Sequence, residues 1–362
     1  MSRVLLLADE GLDFQSRRAN QSLFRDLGSG HAIRSHAVGI GGESISRNLR
    51  LLRDIRTNPA DVIHATGLTA LSLAAVAHSG PIVFSFVRFP TRPNVRWLNA
   101  VMSYRDVQVI CPTSTMRKFC VTRGVPIERC HLIRPGVEFG RINRRRDAKF
   151  RLSLGFAESD YVFLLPGEST AAAGHASAVW TNSILNELDP KYKILAWGRG
   201  DKVDQLHRFS GRQHHGNQLA IAERRLGRPI EFEELLPAAD AVLITATGPV
   251  STLPIAVCMA AGLPIVSTVT HEVAELLEDR HTALMAPKSS PRAISQRIMD
   301  LQADKDVQWA ISDMAKTEAF EYFAHSRFMN QYRVVFRQVL AGEKISVPEA
   351  SPGAGARFHG LG

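Results

Sequence analysis

The residues best suited to chemistry are those that can hold a phosphate. Arg199 stands between Gly198 and Gly200 behind the apolar run KILAW, and a guanidinium binds phosphate through two parallel hydrogen bonds. Gly248 ends the run ADAVLITATG. The helix expected to begin near Ser251 and Thr252 offers an anion its first backbone amides and the positive end of its dipole. Gly167 closes YVFLLPG, and Arg88 follows PIVFSFV. Ligands of parallel α/β sheets sit beyond the carboxyl ends of the strands. Gly167, Arg199, Gly248, Ser251 and Thr252 are therefore the candidate phosphate ligands, and Arg88 is a further candidate at the end of its own strand. No spacing names a catalytic nucleophile, acid or base. The thirteen histidines show no HExxH or similar ligand spacing, and His214-His215 falls in a polar loop, so no metal is expected. Asp304-Lys305-Asp306 matches a DxD motif by letters but lies in a late helical stretch.

These residues need a scaffold of alternating strands and helices. In the first half, short apolar runs at 3 to 8, 32 to 39, 61 to 67, 81 to 87 and 107 to 112 alternate with helical patterns such as SRRANQSLFRDLG, ISRNLRLLRDIR and TSTMRKFCVTRG. This is the rhythm of βαβ units and a parallel sheet. The last helix should open at Thr113 or Ser114 and close at Gly124. The polar, basic stretch RINRRRDAKFR reads as a hinge. Beyond it the pattern restarts with YVFLLPG, KILAWGRG, ADAVLITATG and LPIVST. The expected fold is α/β, two Rossmann-like doubly wound domains facing across a cleft. The domains are residues 1–145 and 146–318. A terminal helix at 319–342 carries Phe328, Tyr332, Phe336 and Leu340 at helical spacing and returns to the first domain, and a Pro- and Gly-rich tail at 343–362 should lack order. The apolar stretch from Leu68 to Val87 is interrupted by His78, Gly80 and Pro81, which suits a buried helix and strand better than a membrane span.

The stretch AVCMAAGLPIVSTVTHEVAELLEDRHTALMAP (256–287) resembles the nucleotide-binding half of retaining glycosyltransferases with the GT-B fold. That family's pattern is Ala-Met-Ala-x-Gly-x-Pro, a strand, a Thr-x-x-Gly-Gly-x-x-Glu loop and a Gly-x-Leu turn; Met259, Ala260, Gly262, Pro264, Thr268, Glu275 and Leu284 fall in register with it. Residues 109–137 are similar to the family's closing first-domain segment, and the likeness spans roughly residues 60 to 340. It implies transfer of a sugar from a nucleotide diphosphate donor, without a metal and with no cofactor besides that donor substrate. The sequence also departs from the family. Its two donor-binding glutamates correspond to Pro249 and Val257, and its phosphate-binding Arg and Lys to Glu168 and Ala173. A histidine after the fourth strand corresponds to Val87, and a Gly-Gly turn after the first strand is reduced to Gly11.

Charge points to an anionic partner. Residues 1–150 carry 23 basic and 11 acidic side chains, the remainder 21 and 24, within a net +9. No nucleic-acid motif or aromatic-basic interleaving accompanies this, so no nucleic acid is expected. The helix at 45–56 sets Ile45, Leu49, Leu52 and Ile55 on one side and Arg47, Arg50 and Arg53 on the other, an arrangement that can rest on anionic lipid. Cys111, Cys120, Cys130 and Cys258 have no CxxC spacing and nothing resembles a signal peptide, so the expected location is the cytoplasm, peripheral on the inner membrane face, with the cysteines as small buried apolar residues. The expected activity is transfer of a sugar to a glycan or lipid-linked acceptor of the cell envelope. The alternative is a non-catalytic protein of the same fold serving as a partner subunit or glycan binder.

Overall fold

The structure is a computed structural model and describes residues 2–28, 30–39, 42–213, 218–286 and 290–347. His214-His215 and the tail from residue 348 lie outside the described residues. The chain forms two compact units, one of residues 1–136 joined by the segment from 325, the other of residues 137–324.

The first unit runs β1 Ser2–Asp9, α1 Phe14–Leu27, β2 His31–Val38, α2 Gly42–Thr57, β3 Val62–Thr66, α3 Leu68–Ala77, β4 Ile82–Ser85, α4 Arg92–Met102, β5 Val107–Cys111, α5 Ser114–Val121 and β6 Cys130–Leu132. Its six parallel strands lie in the order β2-β1-β3-β4-β5-β6. Because successive side chains point to opposite faces, Leu5, Leu7 and Ile63 enter one core with α2 to α5, while Val4, Leu6 and Val62 enter another with α1. Thr113 caps α5 by accepting from the Met116 amide at 3.1 Å. Cys111, Cys120 and Cys130 are all buried.

The second unit runs α6 Ala148–Ser153, β7 Tyr161–Leu164, α7 His175–Asn186, β8 Tyr192–Ala196, α8 Val203–Gly211, β9 Leu219–Ile221, α9 Ala222–Leu226, β10 Ala241–Ile244, α10 Leu253–Ala260, β11 Ile265–Thr268, α11 His271–Ala274, β12 Leu284–Ala286, α12 Pro291–Ala303 and α13 Lys305–Tyr322. Its parallel sheet has the order β12-β11-β10-β7-β8-β9. Both sheets are doubly wound, the α/β class expected. Part of the expected hinge is the helix α6, where buried Arg151 binds Asp240 at 3.0 Å and the carbonyls of Ala238 and Asp160.

One expectation needs correction. The terminal helix expected over 319–342 starts later, as α14 (His325–Ala341), and residues 319–322 are the end of α13. The break falls where the Phe323 carbonyl accepts from the Val137 amide at 2.7 Å and Ala324 bridges to Val137, so the backbone there is bonded across the unit rather than along a helix. The apolar side of α2 is divided along its length. Leu51 and Ile55 enter the core and Leu52 packs against it, but Ile45 and Leu49 are 59% and 61% exposed, because only the second half of the helix meets the layer over the sheet.

Leu68–Val87 forms a buried helix and strand, and among the described residues no helix is long and apolar enough to cross a membrane. Asp304-Lys305-Asp306 opens α13: the Asp304 carboxylate caps it, accepting from the amides of Asp306 and Val307 at 3.0 Å.

Candidate functional site

In the second sheet the strand order reverses between β7 and β10, which carry chain out of the sheet side by side. The carboxyl ends at such a switch point are where doubly wound sheets hold ligands. Gly167 follows β7, and Gly248, Ser251 and Thr252 lie between β10 and α10. Arg199 follows β8, the next strand out.

The backbone joins these loops directly. The Ala172 carbonyl accepts from the amides of Thr247 at 2.9 Å and Gly248 at 3.3 Å, tying the loop after β7 to the loop after β10. Gly167, at φ +79°, lies against the first turn of α10, where an added Cβ would meet Pro254 at 3.1 Å. The Ser169 amide donates to the Arg199 carbonyl at 2.7 Å, and the Ser169 carbonyl accepts from the Lys202 amide at 2.9 Å. Gly200, at φ +114°, leaves only 2.6 Å between an added Cβ and the Ser169 nitrogen, so this crossing requires glycine. Thr268 closes the far side, its hydroxyl donating to the Ala246 carbonyl at 2.7 Å. Five of the six candidate ligands therefore stand on adjoining loops, while Arg88 belongs to the other unit.

Arg199 is already engaged. Its Nε donates to Glu223 Oε1 at 2.9 Å, its Nη2 to the Ile230 carbonyl at 3.4 Å, and its guanidinium lies 4.5 Å from the Trp197 ring centre. A carboxylate at that distance balances most of the positive charge that a phosphate would seek. Glu223 is itself fixed by accepting from the Ile230 amide at 3.3 Å. The sequence points to Arg199 and misses Glu223, whose place 24 positions on is decided by the fold. Buried Thr252 is the cap residue of α10.

Behind the loops, buried His175 opens α7 and its Nδ1 lies 2.9 Å from Ser169 Oγ. Burial pushes its pKa down to about 4, against a raising hydrogen bond to the Pro166 carbonyl, so the ring is neutral at physiological pH and serves as a brace. After β11, Glu272 occupies part of the Gly-Gly position of the family pattern. It is buried, and desolvation raises its pKa, with the charge of Glu275 adding to the effect.

In the first unit the switch point lies between β1 and β3. There Asp9 Oδ1 accepts from the Ala70 amide at 2.7 Å and Oδ2 from the Thr69 amide at 3.2 Å, so a protein carboxylate takes the amide end of α3. Arg88 is exposed beyond β4. Burial raises the pKa of Asp13, and the charges of Arg88 and Arg17 oppose that rise. Among the described residues no group of three or more His, Cys, Asp or Glu side chains is placed to hold a metal ion.

Comparison with known proteins bears on the segment and the fold. Residues 176–304 match the family model described as glycosyl transferases group 1. A curated relative, the N-acetyl-alpha-D-glucosaminyl L-malate synthase of Bacillus anthracis, is 21% identical over 161 residues, a match that spans 44% of this chain and 41% of the relative. Among solved structures, Anabaena Alr3699/HepE in complex with UDP and glucose superposes with a TM-score of 0.77 at 18% identity, over 93% of this chain and 100% of that one. Sucrose-phosphate synthase from Thermosynechococcus elongatus does so with 0.76 at 14% identity, over 95% and 100%. Residues 176–304 are thus similar to glycosyl transferases group 1, and nearly the whole chain has the GT-B fold of these solved structures.

Proposed function

We propose that this protein transfers a sugar from a nucleotide diphosphate donor to a lipid or polysaccharide acceptor of the cell envelope, with the donor held by the second unit. The observation that carries this reading is the convergence of the loops after β7, β8 and β10 at the switch point, joined through Ala172 and Ser169. The donor diphosphate would meet the amides at Ser251 and Thr252 and the backbone of Gly167 and Gly248. Departure of a nucleoside diphosphate needs positive charge or aimed amides, and in this chain the amides carry the larger share. Arg199 would contribute by turning from Glu223 toward the phosphates.

The Arg199–Glu223 pair also favours a second reading, a non-catalytic GT-B protein acting as a partner subunit or glycan binder. Calorimetry of the intact protein against UDP, GDP and their sugars separates the two. Donor transfer requires saturable nucleotide binding, weakened in Arg199→Ala and strengthened in Glu223→Gln, where the guanidinium is released. No binding to any nucleotide would sink the enzyme reading. For location, we propose peripheral contact with the cytoplasmic face of an anionic membrane, supported by exposed Ile45 and Leu49 beside exposed Arg50, Arg53 and Arg56 on α2.

A further inference from the structure

We propose that the second unit has a separate binding site for a small phosphate monoester, in the cavity between the start of α7 and the side of α8. The cavity measures about 430 Å³, and its walls are the Ser169–Ala171 loop, the first turn of α7 and one face of α8. Intervals of three and four residues put Lys202, Gln205, Arg208 and Arg212 together on that face, and all four line the cavity.

Charge gives the strongest argument. Lys202, Arg208 and Arg212 form no ion pair with any described residue, unlike Arg199 on the neighbouring loop, which pairs with Glu223. No Asp or Glu lines the cavity, and the first turn of α7 contains no acidic residue. Three uncompensated cations in one concavity, with the amide end of a twelve-residue helix in the wall, produce a local potential that draws a dianion.

The rest of the lining fits an organic body on that dianion. Leu206 is buried and Phe209 half-buried, which gives carbon a dry floor, and Gln205 and Thr170 offer hydrogen bonds to hydroxyl groups. The volume suits a single sugar phosphate. Arg199 is not among the lining residues, so this site and the proposed donor site have different ligands. They adjoin along the loop after β7: Ser169 lines the cavity and its backbone bonds to both Arg199 and Lys202, and Gly174 lines it while its carbonyl accepts from the Thr245 hydroxyl at 2.9 Å.

Trp180 supplies a reporter, because its ring centre lies 6.4 Å from that of Phe209. The test titrates the intact protein with ribose 5-phosphate and with inorganic phosphate, following Trp180 fluorescence and heat of binding. Ribose 5-phosphate should bind saturably at one site and more tightly than inorganic phosphate. The Arg208→Gln/Arg212→Gln double variant should weaken it tenfold or more, while its UDP binding stays as in the parent; Arg199→Ala should leave ribose 5-phosphate binding unchanged. The proposal fails if neither anion binds saturably, if inorganic phosphate binds as tightly as the ester, or if the double variant binds the ester as well as the parent does. Failure of UDP binding alone would count against the donor reading and leave this one standing.

Discussion

At the scale of single residues, the site depends on glycines that let backbone cross backbone. Gly200 lies over Ser169 at a φ that side chains rarely adopt. Gly200→Ala should therefore cost about 1–3 kcal/mol of stability, read as a lowered denaturant midpoint, and should weaken nucleotide binding because the Ser169–Arg199 bond is displaced. Histidine burial makes a second prediction. His64, His131 and His175 have pKa values lowered by burial to about 4 from 6.5. Between those values the unfolded chain binds more protons than the native one, so stability should fall as pH drops from about 6.5 to about 4 and be fully present above that window. Urea unfolding at pH 7 and pH 5 measures it, and equal midpoints would refute it.

At the scale of elements, α14 carries much of the first unit's second core. Tyr332, Val335 and Phe336 are buried, and His64 meets the Tyr332 ring edge-on at 5.7 Å. Phe336→Ala should cost about 3–5 kcal/mol by loss of apolar contact and the cavity left behind. A calorimetric scan should show the transition of the first unit moving down. The α2 helix makes a different prediction, at its surface. If its exposed Ile45 and Leu49 with the three arginines meet lipid, liposome co-sedimentation should rise with the anionic lipid fraction, fall with salt, and drop several-fold in Arg50→Gln/Arg53→Gln. Binding indifferent to lipid charge would remove that contact.

At the scale of the whole molecule, two units with separate cores share one chain that leaves the first and comes back. Deleting residues from 325 onward removes α14 from the first unit and nothing described from the second. The truncated chain should lose the thermal transition of the first unit, and limited proteolysis should leave a resistant fragment near 137–324. Digestion of both parts at the same rate would show that the second unit cannot stand alone.

Periodicity and punctuation made the doubly wound class legible in the sequence. Runs of four to eight apolar residues between helical patterns have few other solutions, and Thr113 shows that even a helix cap was readable, because capping is local. The glycines at 167, 198, 200 and 248 marked the loops for the same reason. Glu223 was not readable as the partner of Arg199, nor Asp9 as the occupant of the α3 amides, since each pair is brought together by strand order rather than by spacing. The break between α13 and α14 was missed because both sides carry good helical pattern, and the Val137 amide that bonds there comes from 186 positions away. The cationic face of α8 was present as Lys202, Arg208 and Arg212, but helical spacing alone describes a solvated face equally well. Composition and period thus determined the type and succession of the elements, which depend on neighbours along the chain. Which charges are balanced and which are left to a ligand was decided by tertiary structure, because electrostatic pairing depends on distance in space.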